Sequence, residues 1–256
     1  MAYFQSAVRS QVLGMDVNVN FVVPYDRYDA EGNPGRYDKV LYLLHGLKGN
    51  AFSWPRMSSC ERYANYYGYA LVIPEVQRSF YADMAQGMNY FTYITEELPK
   101  VTQGIFKLPE GRENTYIGGL SMGGYGALKC ALTRPDLYAG AMCFSSGFYA
   151  MENTQMLMDR YYSRSELQGV MGEELKVRDE NNLDYLMEHF PKAAQKPRLY
   201  LASGTEDFLY AQNLRARDTL REKGFDLTWE EWSGEHNWTF WDTALERAMR
   251  QFADLG

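Results

Sequence analysis

The sequence predicts an α/β protein with a mostly parallel central sheet flanked by helices, and three observations carry that reading. From residue 39 onward, short apolar runs alternate with stretches spaced as helices, the pattern of repeated strand–helix–strand units. The runs Lys39–Leu44 and Tyr69–Ile73 are apolar throughout rather than alternating, as strands covered on both faces require. At 256 residues and 46% hydrophobic side chains, the chain can bury a sizeable core. No linker, repeat or low-complexity run divides it, so residues 1–256 are expected to form a single domain.

In chain order, Asp16–Pro24 alternates apolar and polar residues and reads as a strand with one solvated face. The turn signal inside Asp29–Gly35 ends that strand and predicts a hairpin. Lys39–Leu44 runs into His45-Gly46-Leu47-Lys48-Gly49, where two glycines let backbone approach a ligand. Pro55–Tyr67 reads as a helix, with Pro55 suited to its first turn and Gly68 to its end. Tyr69–Ile73 is a buried strand stopped by Pro74. Ser79–Gly87 is a loop, and Tyr90–Phe106 a helix despite Pro99.

Thr115-Tyr116-Ile117 opens a strand that meets Gly118-Gly119-Leu120-Ser121-Met122-Gly123-Gly124-Tyr125-Gly126, and helical spacing follows through Ala127–Leu132. Ala139–Phe144 is the next strand, ending at Ser145-Ser146-Gly147. From Phe148 to Lys196 no strand pattern occurs, so residues 148–196 are expected to form a helical insertion lying over the sheet and shaping a pocket. Its bulky Met151, Met156, Met158, Tyr161 and Tyr162 are expected to close that pocket. Arg198–Ala202 resumes the sheet and ends at Ser203–Asp207. Leu209–Lys223 is a helix closed by Gly224, Asp226–Trp232 an edge-type strand, and Thr239–Leu255 the final helix.

Bulk composition narrows the function. A net charge of −7 argues against nucleic acid as a partner. No stretch is long and apolar enough to span a bilayer, and Met1–Ser6 lacks the design of a signal peptide. Cys60, Cys130 and Cys143 are an odd number in apolar surroundings, so they read as reduced thiols and suit the cytoplasm. Some of the 21 tyrosines are expected to line an acyl or aryl pocket. A monomer and a homo-oligomer both remain open.

The chemistry starts at Ser121. Strand, G-x-S-x-G and helix together make a nucleophile elbow, in which Gly119 and Gly123 remove Cβ atoms that would clash as the chain reverses. A serine hydroxyl is a poor nucleophile until a base takes its proton, and the base needs an orienting carboxylate. Ligands of open α/β sheets gather beyond the carboxyl ends of the strands, so these partners belong in loops after strands. Of three histidines, His236 follows the last strand beside Gly234 and is the expected base. His45 reads as a brace for the Gly46–Gly49 loop, and His189 as structural or solvated. Asp207, after the strand 198–202, is the preferred acid, with Glu206 its neighbouring alternative. The loop Ser145-Ser146-Gly147 offers no acid, and Asp159 and Asp184 sit in helix-like stretches. The amides of Leu47 and Met122 are the expected oxyanion donors, each such donor being worth about 3 kcal/mol. No Cys-x-x-Cys or His-Glu-x-x-His holds a metal, and no nucleotide fingerprint follows the first strands. The expected reaction is cofactor-free, metal-free acyl transfer to water on a small-molecule ester.

Leu43-Leu44-His45-Gly46, Gly119–Gly126, Gly204-Thr205-Glu206-Asp207-Phe208-Leu209 and His236-Asn237-Trp238 together resemble the esterase D-like group of α/β-hydrolases. Within it they look like the tributyrin esterase type of bacterial short-chain carboxylesterase. The resemblance implies the α/β-hydrolase fold, with the helical insertion after its sixth strand. It also implies Ser121, Asp207 and His236 as a triad, with Leu47 and Met122 as oxyanion donors. Feruloyl esterases and S-formylglutathione hydrolases are relatives on the same scaffold. The resemblance therefore leaves deacylation of plant carbohydrate and thioester hydrolysis beside short-chain esters as substrate readings.

Overall fold

The computed structural model describes residues 1–27, 32 and 37–253. Eight strands form one sheet: β1 (Ala2–Ser10), β2 (Met15–Val23), β3 (Lys39–Leu44), β4 (Tyr69–Pro74), β5 (Thr115–Leu120), β6 (Gly140–Phe144), β7 (Arg198–Gly204) and β8 (Leu227–Trp232). Their spatial order is β1-β2-β4-β3-β5-β6-β7-β8. Strands from β4 to β8 across that order run parallel, while β1 and β2 are antiparallel.

The strand at 16–24 forms as expected, but its hairpin partner differs. It pairs with β1 in the register Val8↔Val17, and on its other side with β4. The expected partner strand, β3, lies one place further in, beside β4 and β5. The expected turn at 29–35 falls, apart from Gly32, outside the described residues. β1 escapes sequence reading because it is an edge strand with little burial and only weak alternation.

The alternation within β3 shows how the sheet divides two core layers. Val40, Tyr42 and Leu44 face one layer; Leu41 and Leu43 face the other. The first layer is covered by α4 (Leu98–Phe106), α5 (Met122–Thr133) and the insertion, through Leu98, Leu128, Leu157, Leu167 and Leu183. The second is covered by α1 (Ser53–Met57), α2 (Cys60–Tyr67) and α10 (Trp238–Ala253). The single helix expected over 55–67 is thus two. The break falls at Ser58–Ser59, where Asp242 of α10 accepts from the Ser59 N–H (2.7 Å) and the Tyr63 hydroxyl (2.8 Å).

Residues 90–106 are helical throughout, as α3 (Tyr90–Thr92), a π-helical turn (Tyr93–Glu97) and α4. The wide turn precedes Pro99, whose ring would otherwise meet the Thr95 carbonyl. That carbonyl instead accepts from Arg134. The insertion comprises α6 (Thr154–Arg160), α7 (Arg164–Met171) and α8 (Leu183–Glu188), with α7 opened by a Ser163–Glu166 capping box. Helix α9 (Tyr210–Glu222) links β7 to β8.

Three buried free thiols contribute to the alkaline limit of this fold, together with its buried tyrosines. Burial pushes Cys60 and Cys130 up to about 12 and Cys143 further upward. An unfolded chain ionises its thiols near about 8.5, so above that pH it sheds protons that the folded state keeps. Their contribution is complete below that value and declines as pH rises toward about 12. Lys129 works in the opposite sense: burial brings its ammonium down to about 8, so its cost is relieved as pH rises from there. Burial also raises the phenols of Tyr42, Tyr69, Tyr81, Tyr93, Tyr125 and Tyr138, which an unfolded chain ionises near about 10. Thiols and tyrosines together outweigh the one lysine, so the urea midpoint is expected to fall beyond about pH 10. A midpoint that climbs through pH 10 and 11 contradicts this balance.

Candidate active site

The site gathers at the carboxyl ends of β3, β5, β7 and β8. Ser121 stands between β5 and α5 with φ 55° and ψ −116°, a conformation that costs a non-glycine residue energy and must be held from outside. The Ser121 N–H donates to the Phe144 carbonyl (2.9 Å). The Ser121 carbonyl accepts from the N–H groups of Gly147 (3.0 Å) and Tyr125 (3.2 Å). The reversal also needs close approach of α5 to β3. A Cβ on Gly123 would stand 2.5 Å from the Leu44 carbonyl oxygen, so this position takes glycine.

Asp207 and His236 come from loops that are zipped together. The N–H groups of Thr205 and Glu206 donate to the carbonyls of Trp232 and Gly234, each at 3.1 Å. The contact is so close that a Cβ on Gly204 would lie 2.0 Å from the Gly234 oxygen. Glu206 is exposed, and its carboxylate accepts from the Gly234 N–H, which holds it below the usual carboxylate range. The neighbouring Asp207 is buried and points the other way.

The three side chains meet in a line. The Ser121 Oγ lies 3.0 Å from His236 Nε2, and His236 Nδ1 lies 2.9 and 3.1 Å from the Asp207 carboxylate oxygens. Asp207 also accepts from the Leu209 N–H at 2.8 Å, which fixes the carboxylate. With Nδ1–H held by a carboxylate, Nε2 presents its lone pair to the serine hydroxyl. The imidazole is packed between Phe208 (4.7 Å) and Trp241 (4.9 Å, edge-on).

Leu47 and Met122 both line the cavity over Ser121. Met122 opens α5, where the first N–H groups have no acceptor within the helix, and no turn or loop backbone bond among the described residues uses the Leu47 N–H. Their loop is braced from behind. His45 is fully buried, with Nδ1 2.8 Å from the Gly46 carbonyl, and Nε2 accepts the Val76 N–H at 3.2 Å. The Tyr81 hydroxyl donates to the His45 carbonyl (2.8 Å). His45 thus braces the loop and lines no part of the cavity. His189 stacks on Tyr185 away from the site, with Nδ1 near the Tyr185 carbonyl. Asp184 accepts from the Tyr149 hydroxyl and pairs with Arg215, while Asp159 accepts from Gln155.

The cavity holds about 410 Å³. Of the five bulky insertion residues expected to close it, Met156 and Tyr161 line it. Met151 and Tyr162 are buried in the core, and Met158 packs against that core. Ala150 and Leu157 line it as well. Phe208, Trp238 and Trp241 also line it, as does Phe80 of the 79–87 loop. Sequence spacing did not single out these aromatics. The only signal for Phe208 and Trp238 was their adjacency to Asp207 and His236-Asn237.

A parallel sheet with an elbow serine, helices on both faces and a histidine after the last strand defines a serine hydrolase of the α/β-hydrolase fold. Residues 10–252 match the family described as "Putative esterase", and the chain belongs to that family. It is 30% identical to an acetyl esterase of Caldicellulosiruptor saccharolyticus, over 97% of each chain. Among solved structures it is similar to the fluorophosphonate-binding serine hydrolase F of Staphylococcus aureus, substrate bound, with TM-score 0.88 and 34% identity over 98% of each chain. The apoenzyme of an S-formylglutathione hydrolase from Staphylococcus aureus is similar at TM-score 0.85, again 34% identical over 98% of each chain. Among the described residues no helix is long and apolar enough to cross a membrane, and no group of His, Cys, Asp and Glu is arranged to hold a metal.

Proposed function

We propose that this chain is a carboxylesterase for short acyl esters that works through an acyl-enzyme on Ser121. The observation that carries the proposal is the unbroken run Ser121–His236–Asp207 at the floor of an aromatic-walled cavity. His236 Nε2 takes the serine proton as Oγ attacks the ester carbonyl, and the N–H groups of Leu47 and Met122 receive the developing oxyanion. Collapse expels the alcohol, which takes its proton from His236, and water repeats the sequence to free the acid. Asp207 keeps the proton on Nδ1 and stabilises the imidazolium in both halves. The whole chain is read as one catalytic domain whose insertion walls the pocket, and its three reduced thiols suit the cytoplasm.

The composition of the cavity walls supports short chains. Met156, Leu157, Tyr161, Trp238 and Trp241 share the lining of the cavity, so an acyl chain gains about 0.8 kcal/mol per buried methylene only until that space is filled. The similarity to an acetyl esterase supports the same end of the range. The similarity to an S-formylglutathione hydrolase supports a second reading, in which a formyl thioester is the preferred substrate. Specificity constants for acetate, butyrate, octanoate and palmitate esters, with S-formylglutathione and a feruloyl ester alongside, separate these readings. The expected maximum lies between acetate and butyrate, and a maximum at octanoate or beyond contradicts the short pocket.

A further inference from the structure

The cavity over Ser121 carries one formal charge besides whatever His236 holds, and it is positive. Among the described residues no aspartate or glutamate lines it; Asp207 stands behind the imidazole. The charge is Lys48, next in sequence to the expected oxyanion donor Leu47 and exposed at the cavity rim. No carboxylate of the described residues pairs with it. Its Nζ stands instead 5.1 Å from the centre of the Tyr161 ring, which lines the same cavity. That platform is itself fixed. Arg78 donates to the Tyr161 carbonyl and lies 4.4 Å over the Tyr162 ring, and the Tyr162 hydroxyl donates back to the Arg78 carbonyl at 2.6 Å. Arg78 is thereby spent on holding the insertion against the 78–80 segment. Lys48 is left with an aromatic face and no counter-ion, in a chain whose net charge is −7.

We propose that Lys48 is a specificity residue that selects esters whose leaving alcohol carries a carboxylate. The inference rests on the esterase function proposed above and names the substrate class of that same site. An ammonium resting on a ring loses part of its freedom, so a substrate anion meets a positioned partner. The anion belongs on the alcohol part because the short acyl group of the proposed substrate carries no charge of its own, so an anion that meets the exposed Lys48 has to come with the alcohol. Because the chain is acidic overall, its long-range field does not attract anions. The preference is therefore a contact effect, expressed in KM more than in kcat, and screened by salt.

A matched pair of esters reads this out: 4-acetoxybenzoate and its methyl ester, alike in shape and different in charge. Exposed ion pairs of this kind are worth at most about a five-fold change in binding. Lys48→Met is expected to lower the ratio of kcat/KM for the anionic over the neutral ester by about five-fold, mainly through KM. Lys48→Arg is expected to retain the ratio. In the unsubstituted protein the ratio should shrink as salt rises from about 20 to 500 mM, and in Lys48→Met it should not. A ratio unchanged by Lys48→Met overturns the assignment while leaving the esterase function standing. So does an equal loss for both esters, which would make Lys48 a support for its loop. Hydrolysis of neither ester by the unsubstituted protein overturns the esterase function and this inference with it.

Discussion

Ser121→Ala is expected to lower kcat/KM for a butyrate ester by about 10⁴ or more and to leave the fold intact. In the proposed mechanism the substitution removes the atom that forms the acyl-enzyme, so the expected loss exceeds that of any supporting group. The elbow is held through the Ser121 backbone, by bonds to Phe144, Gly147 and Tyr125 that alanine keeps. The side chain gives up one hydrogen bond, to His236. Thermal unfolding followed by circular dichroism should therefore match the unsubstituted protein within a few degrees, while ester turnover disappears. Substantial turnover in a folded Ser121→Ala protein would move the nucleophile elsewhere.

Asp207→Asn is expected to lower kcat by about 10⁴, because the amide disturbs the histidine tautomer and removes the charge that stabilises imidazolium. Its neighbour provides the control. The Glu206 side chain binds the Gly234 N–H, and a glutamine oxygen can accept the same bond. Glu206→Gln should therefore change kcat less than about tenfold, through a slight loosening of the two loops. Measured side by side, the two variants separate the carboxylate that orients His236 from the one that ties its loop. If Glu206→Gln were the crippled variant, the acid would have to be reassigned.

The parts of this molecule that were legible in the sequence are those where local chemistry leaves one solution. Gly119-Leu120-Ser121-Met122-Gly123 requires a backbone reversal, and the closeness of Gly123 to the Leu44 carbonyl gives the physical reason. The continuously apolar runs of β3 and β4 announced strands buried on both faces. His236 and Asp207 are legible because they sit in loops that follow strands, and the line of hydrogen bonds brings those two to Ser121. The rest depended on distance along the chain. β1 carries too little burial to stand out, and the partner of β2 was decided by pairing with β4 rather than by the turn after it. Within the insertion, one-residue steps separate Tyr161, which lines the cavity, from Tyr162, which is buried in the core, and spacing alone does not tell them apart. Phe80 and Trp241 reach the cavity only because a loop and α10 fold back over it.

The central claim, an acyl-enzyme formed on Ser121, is tested most directly by titrating the protein with a fluorophosphonate and locating the adduct by peptide mass spectrometry. The account predicts one adduct per chain, on the peptide bearing Ser121, with ester turnover lost in proportion and no labelling of Ser121→Ala. An adduct on another serine such as Ser145 or Ser146, or full turnover after complete labelling, would contradict it.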